Sequence, residues 1–206
     1  MGNLLVLYDT ETGHTGQMAE LVAEGAESLQ SPDGASLMQV RRLHIDQASA
    51  DDLFWAHGVA LGSPTNLGVM SWKMKKWWDD HADTLWPNVD GKIGCTFSSA
   101  GGYGGGAEMT CLSLTNLLMN FGLLVFGTTD YVHPKFTLHY GATVAKAPRA
   151  PEEADACRRL GLRLAEWVAY YVDRNAGAHP LLTTKKDGAW DPNSGFFDSW
   201  NKKLSN

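Results

Sequence analysis

A short apolar strand followed by a helical pattern recurs about five times along this chain. The first instance is the clearest. Leu4-Leu5-Val6-Leu7 is short and apolar, and Thr10-Glu11-Thr12-Gly13-His14-Thr15 is polar. Met18, Leu21, Val22, Gly25 and Leu29 then share one helical face. Apolar strands without alternation need cover on both faces, and the intervening helices supply it. Few folds satisfy that pattern. The expectation is an α/β protein with three layers, a five-stranded parallel sheet carrying helices on both faces. The chain has 206 residues, 44% of them apolar, enough for one ordinary domain with a sizeable core.

Taken in order, Ser31-Pro32-Asp33-Gly34 reads as a turn, and Leu37 to His44, with Arg41-Arg42, as an edge strand. Ser49 caps a short helical turn to Phe54. Gly58 to Gly62 is a central strand. Met70, Met74, Trp77, Trp78 and His81 then form an aromatic helix face, closed by Leu85-Trp86-Pro87. Lys92 to Phe97 is the next strand, and Met109, Leu112, Leu117, Leu118 and Phe121 the next helix face. Leu123 to Phe126 reads as the last central strand and Thr128 to Pro151 as irregular. Glu152 to Arg174 is a long helix with Ala156, Leu160, Leu164, Trp167, Val168 and Tyr171 inward, its start marked by Pro151 and acidic residues. Residues 1–175 make the domain. Residues 176–206 form an extension whose aromatics, Trp190, Phe196, Phe197 and Trp200, suit packing on the domain or on a neighbouring subunit.

Ligands of open α/β sheets bind beyond the C-terminal ends of the strands. Three loops fall there: Thr10–Thr15, Ser63–Gly68 and Ser98–Gly106, all rich in Ser, Thr, Gly or Asn. The first opens a helix, whose free N–H groups and dipole suit a phosphate. It has no lysine and no G-x-G-x-x-G, which excludes the triphosphatase loop and disfavours a pyrophosphate. A single terminal phosphate, as on a mononucleotide, fits better. The plainer alternative is a βα turn whose threonines only cap the helix. A phosphate in the first loop leaves a flat ring, such as an isoalloxazine, between the other two, with Tyr103 and Trp86 covering or flanking it.

The net charge of −6 and the lack of a basic run argue against nucleic acid. Cys95, Cys111 and Cys157 are scattered, which suggests reduced thiols in a cytoplasmic setting. A start that enters a strand at once leaves no room for a signal peptide, and no run is long enough to span a membrane. No side chains stand at metal-ligand spacing, so no metal is expected. Cys95 reads as a buried small hydrophobe, Asp9 as a cap, and Trp72, Trp77 and Trp78 as core or interface. Glu11 is expected to face solvent or a basic residue. His14 reads as a helix-start donor, and His133 and His139 as able to enter a substrate mouth.

The pattern Val6-Leu7-Tyr8-x-Thr10-x-x-Gly13-x-Thr15-x-x-x-Ala19 resembles the FMN phosphate loop of flavodoxins. Y-D-T-E-T-G-H-T, G-S-P-T-N-L-G-V-M, F-S-S-A-G-G-Y-G-G-G-A-E-M-T and H-Y-G-A-T resemble, in order, the WrbA group of NAD(P)H:quinone oxidoreductases. The resemblance implies a flavodoxin-like sheet of order 2-1-3-4-5 and two-electron hydride transfer from NAD(P)H through FMN to a quinone-type acceptor, in a homodimer or homotetramer. It places the phosphate on Thr10, Glu11, Thr12, Gly13, His14 and Thr15. It places the ring between Pro64, Thr65, Asn66, Leu67 and Gly68 on one side and Ser98, Ser99, Ala100, Gly101, Gly102, Tyr103 and Gly104 on the other. Trp86, Tyr103 and Asn120 would face the substrate, and no side chain would be catalytic. Asn66 and Leu67 stand where the group commonly has Arg and Phe, and Asn120 where it has His. A one-electron carrier and a non-catalytic FMN-binding sensor or assembly protein are the alternatives.

Overall fold

A computed structural model describes residues 1–133 and 136–179. The expectations for the extension after His179, and for the side chain of His133, lie outside the described residues. Strand β1 (Gly2–Tyr8) leads into helix α1 (His14–Glu27). Then come β2 (Met38–His44), a 3-10 turn at Ile45–Gln47, α2 (Ala50–Trp55), β3 (Gly58–Pro64), α3 (Trp72–Asp80), α4 (Ala82–Leu85), β4 (Ile93–Ala100) and α5 (Ala107–Asn120). The chain continues through β5 (Leu124–Val125), β6 (Thr128–His133), β7 (Phe136–Leu138), β8 (Ala142–Ala145) and α6 (Pro151–Tyr171).

The main sheet is parallel, in the order β2-β1-β3-β4-β5, with β8 also on β4. The fifth position is therefore split. β5 pairs Ile93 and Gly94, while β8 pairs Phe97 to Ala100 farther along the same strand. Leu123–Phe126 is thus an edge segment, not a central strand, and Thr128–Pro151 is not irregular throughout. It holds the antiparallel β6–β7 hairpin as well as β8.

Strand pleating divides the core in two. Leu4, Val6, Ala60, Cys95 and Phe97 pack under α1 and α6. Leu5, Leu7, Val59 and Leu61 pack with Leu53 of α2, Met74, Trp77 and Trp78 of α3, Leu85 of α4, and Leu114 and Leu118 of α5. Trp72 is exposed, unlike the other two tryptophans of its helix. The inward face of α5 is Thr110, Cys111, Leu114 and Leu118; Met109 points to solvent. Tyr171 is exposed rather than inward. Helices α1 and α6 meet backbone to backbone. A Cβ on Gly25 would lie 1.9 Å from the Arg158 carbonyl oxygen, and one on Gly161 1.9 Å from that of Val22. No described helix is long and apolar enough to cross a membrane.

Candidate functional site

The three loops meet at the C-terminal edge of the sheet, because β1, β3 and β4 are parallel neighbours and each loop leaves the same end. The strands run farther than the apolar runs do. Ser63 and Pro64 belong to β3, and Ser98, Ser99 and Ala100 to β4, so the third loop proper begins at Gly101.

The first loop fits a phosphate. Gly13 stands at the start of α1 with φ +81°, and no side chain caps the helix. The first-turn N–H groups therefore remain available. The Thr10 hydroxyl oxygen is buried and has no hydrogen-bond partner among the described residues, an expensive arrangement unless a ligand supplies an acceptor. Thr12 and His14 are joined through Oγ1 and Nδ1 at 3.1 Å. Thr15 is fully buried, and its hydroxyl pairs with that of Ser99 at 2.8 Å, tying α1 to β4. A hydroxyl engaged once still has capacity for a second bond. Glu11 accepts from the Asn66 amide at 2.8 Å, so it meets a neutral donor on the second loop rather than a basic residue.

The second loop is a tight turn. Asn66 and Val69 exchange backbone hydrogen bonds at 2.9 and 3.2 Å, with Leu67 at φ +51° and Gly68 at φ +86°. A leucine in left-handed conformation costs about 1–2 kcal/mol. Its side chain is fully exposed. Beneath the turn lies a chain of hydroxyls: Thr110 donates to Thr65, Thr65 pairs with Ser98, and Ser98 donates to the Ser63 carbonyl at 2.8 Å. The side chains of Thr65 and Ser98 therefore serve this scaffold. Gly101 and Gly102 present backbone to open space, with no atom within 4 Å of where a Cβ would stand.

Tyr103 is 81% exposed, and its hydroxyl donates to Glu153 Oε1 at 2.6 Å. Glu153 Oε2 accepts from the N–H groups of Arg149 and Ala150, closing the start of α6. Burial opposes ionisation of Glu153, but the Tyr103 bond and these N–H groups outweigh it and lower its pKa. The same bond raises the pKa of Tyr103. Beyond Tyr103 is a cavity of about 560 Å³. The run Gly102–Met109 forms one wall, and Phe136, Thr137 and Thr143–Ala145 form the other. That second wall is built from β7 and β8, within the stretch that the sequence pattern reads as irregular.

Trp86 and Asn120 are not part of this assembly. Trp86 is 57% exposed and packs against Phe121 at 5.4 Å between ring centroids. Asn120 ends α5, which runs from the third loop to the opposite edge of the sheet, where Phe121 also lies. Within this chain both residues stand away from the loops. Asp9, read as a cap from sequence, is instead fully buried and accepts from the Ser71 hydroxyl. Its partners are His44 of β2 and Ser71, which caps α3, so local spacing could not reveal them.

No family model matches the chain. A protein named flavodoxin from Aquifex aeolicus is 60% identical over 173 residues, covering 84% of this chain and 90% of that protein. A protein named NAD(P)H dehydrogenase (quinone) from Methylocella silvestris is 32% identical, covering 81% of this chain and 96% of the relative. Among solved structures, a WrbA-like flavodoxin from Agrobacterium tumefaciens superposes with a TM-score of 0.66 at 23% identity, over 83% of this chain and 99% of that one.

Proposed function

The chain belongs to the flavodoxin-like family, and from that premise we propose that it binds FMN and moves two electrons from NAD(P)H to a quinone-type acceptor. Bound FMN supplies the hydride chemistry; the protein supplies position and surroundings. Thr10, Thr12, Thr15 and the first N–H groups of α1 hold the phosphate without a cationic side chain. Residues Pro64–Gly68 and Ser99–Gly104 flank the ring, chiefly through backbone groups. Tyr103, fixed by Glu153, borders the space where a flat co-substrate enters.

The observation that carries the enzyme reading is the cavity of about 560 Å³ against the glycine loop. Its size falls within the range of small-molecule sites, about 300–1,000 Å³. Phe136 and Val144 give it apolar wall, and Thr137 and Thr143 give it polar points. In a homodimer or homotetramer, Trp86 and Asn120 reach a flavin only from a neighbouring copy. The three cysteines without disulfides accord with a cytoplasmic setting.

The one-electron carrier remains as a second reading because the Aquifex relative bears the name flavodoxin. One experiment separates them. The purified protein, loaded with FMN, is mixed anaerobically with NADH or NADPH and then with benzoquinone. Rapid bleaching by a nicotinamide and recovery by the quinone is the expected outcome. Inertness to both nicotinamides, with reduction in two well-separated one-electron waves, would instead identify a carrier.

A further inference from the structure

Asp9 is a carboxylate with no exposed surface, directly before the proposed phosphate loop. Its Oδ2 accepts from the Ser71 hydroxyl. Its Oδ1 has no hydrogen bond of good geometry among the described residues and faces His44 Nε2 at 3.3 Å. Ser71 continues the connection: its N–H donates to the Ser63 hydroxyl at 2.8 Å, which donates to the Pro64 carbonyl at 2.9 Å. Pro64 is the last residue of β3 and opens the second loop. A polar chain thus runs from a partly exposed histidine, through a buried carboxylate beside the first loop, to the backbone of the second.

His44 has two ways to bond at its other nitrogen. The Asp46 N–H donates to Nδ1 at 3.2 Å, which places the ring proton on Nε2, toward Asp9. The Asp46 carboxylate also lies 3.4 Å from Nδ1. A doubly protonated ring donates to both carboxylates at once. The charged or titratable groups around it are Asp9 and Tyr8 from β1, Arg42 through its bond to the Tyr8 hydroxyl, and Asp46 on the adjoining turn.

We propose that Asp9 is a positioning residue that joins the phosphate loop to the ring loop, and that the charge on His44 sets how strongly the flavin site holds a reduced, more negative flavin. This rests on the FMN reading above. A buried negative charge is weakly screened, so it disfavours added electrons nearby. A proton on His44 offsets it. The flavin potential therefore rises more steeply on acidification than the flavin alone requires.

The test compares wild type with His44→Gln and Asp9→Asn. Midpoint potentials of the FMN-loaded proteins are measured from pH 5 to 9. The extra inflection is expected in wild type and absent from His44→Gln, and Asp9→Asn is expected to shift the potential upward at high pH. His44 is partly exposed, so His44→Gln keeps the test decisive if Asp9→Asn does not fold. In the FMN-free protein, amide shifts at Ser63, Thr65 and Ser71 should follow the His44 imidazole titration. Superimposable potential profiles, or Thr65 amide shifts indifferent to that titration, overturn the proposal. Failure of the wild type to bind FMN at all overturns the FMN reading instead, and the FMN-free amide titration still decides whether the relay exists.

Discussion

At the scale of single residues, Thr10 separates stability from function. Its buried hydroxyl has no partner among the described residues, and such a group costs about 1–3 kcal/mol. Thr10→Val keeps the shape and removes the unsatisfied oxygen. The ligand-free protein should then become more stable by about 1 kcal/mol, while FMN binding weakens by about tenfold, the loss of roughly one hydrogen bond to a charged group. Urea midpoints and flavin titration measure the two effects. A variant that loses stability without losing affinity would remove Thr10 from the phosphate site. The sequence made Thr10 visible because a βα loop of hydroxyls is a local signal. The burial of Asp9 and the Asn66 amide that meets the solvent-exposed Glu11 carry no such local signal. The two partners, Ser71 and Asn66, are 62 and 55 positions away, and only the sheet topology brings them near.

At the scale of elements, apolar runs and the partial alternation of Leu37–His44 located every strand of the main sheet except one. Gly141-Ala142-Thr143-Val144-Ala145 is too short and too small-sided to stand out, yet it completes the fifth strand position after the β6–β7 insertion. The cavity wall was hidden with it. Helix direction explains Asn120, and Trp86 packs on the neighbouring Phe121. A helix of 14 residues carries the chain from the glycine loop to the far edge, about 21 Å at 1.5 Å per residue. Loop order is thus legible in the sequence, whereas the edge of the sheet at which a helical residue stands follows from its distance along the helix axis. The close meeting of α1 and α6 gives a prediction for this level. Gly161→Ala gains helix propensity of about 1 kcal/mol but drives a methyl into the Val22 carbonyl, 1.9 Å away. Overpacking of this kind costs about 1–3 kcal/mol or more, and here the neighbour is backbone, which cannot rotate aside. The net expectation is a fall in Tm of about 4 °C, with FMN affinity retained because the contact is remote from the loops. An unchanged or raised Tm in a thermal melt would mean that the helices separate without penalty.

For the whole molecule, the three cysteines report on global opening. Cys95, Cys111 and Cys157 are all free and buried, one on the central sheet and one under each of two helices. Burial pushes the thiols of Cys111 and Cys157 up to about 12, and that of Cys95 higher still. Unfolded thiols ionise near pH ~8.5. Above that pH the unfolded chain binds fewer protons than the folded one, so stability falls as pH rises. Below it, both states hold the protons and the contribution is complete. The slope approaches about 1.4 kcal/mol per pH unit for each thiol, and it persists until the folded thiols themselves titrate. Stability from urea unfolding should therefore drop steeply between pH 9 and 11. Lysines and tyrosines also titrate there, so the comparison that isolates the thiols is with Cys111→Ala/Cys157→Ala, in which most of the thiol slope disappears. The same burial predicts that a thiol-specific disulfide reagent labels no cysteine in the native protein at pH 8 and all three in denaturant. Labelling that tracks the global unfolding free energy at all three sites means that both faces of the sheet open together. Faster labelling at Cys111 alone would place the weak face on the side of α5, next to the glycine loop and the cavity.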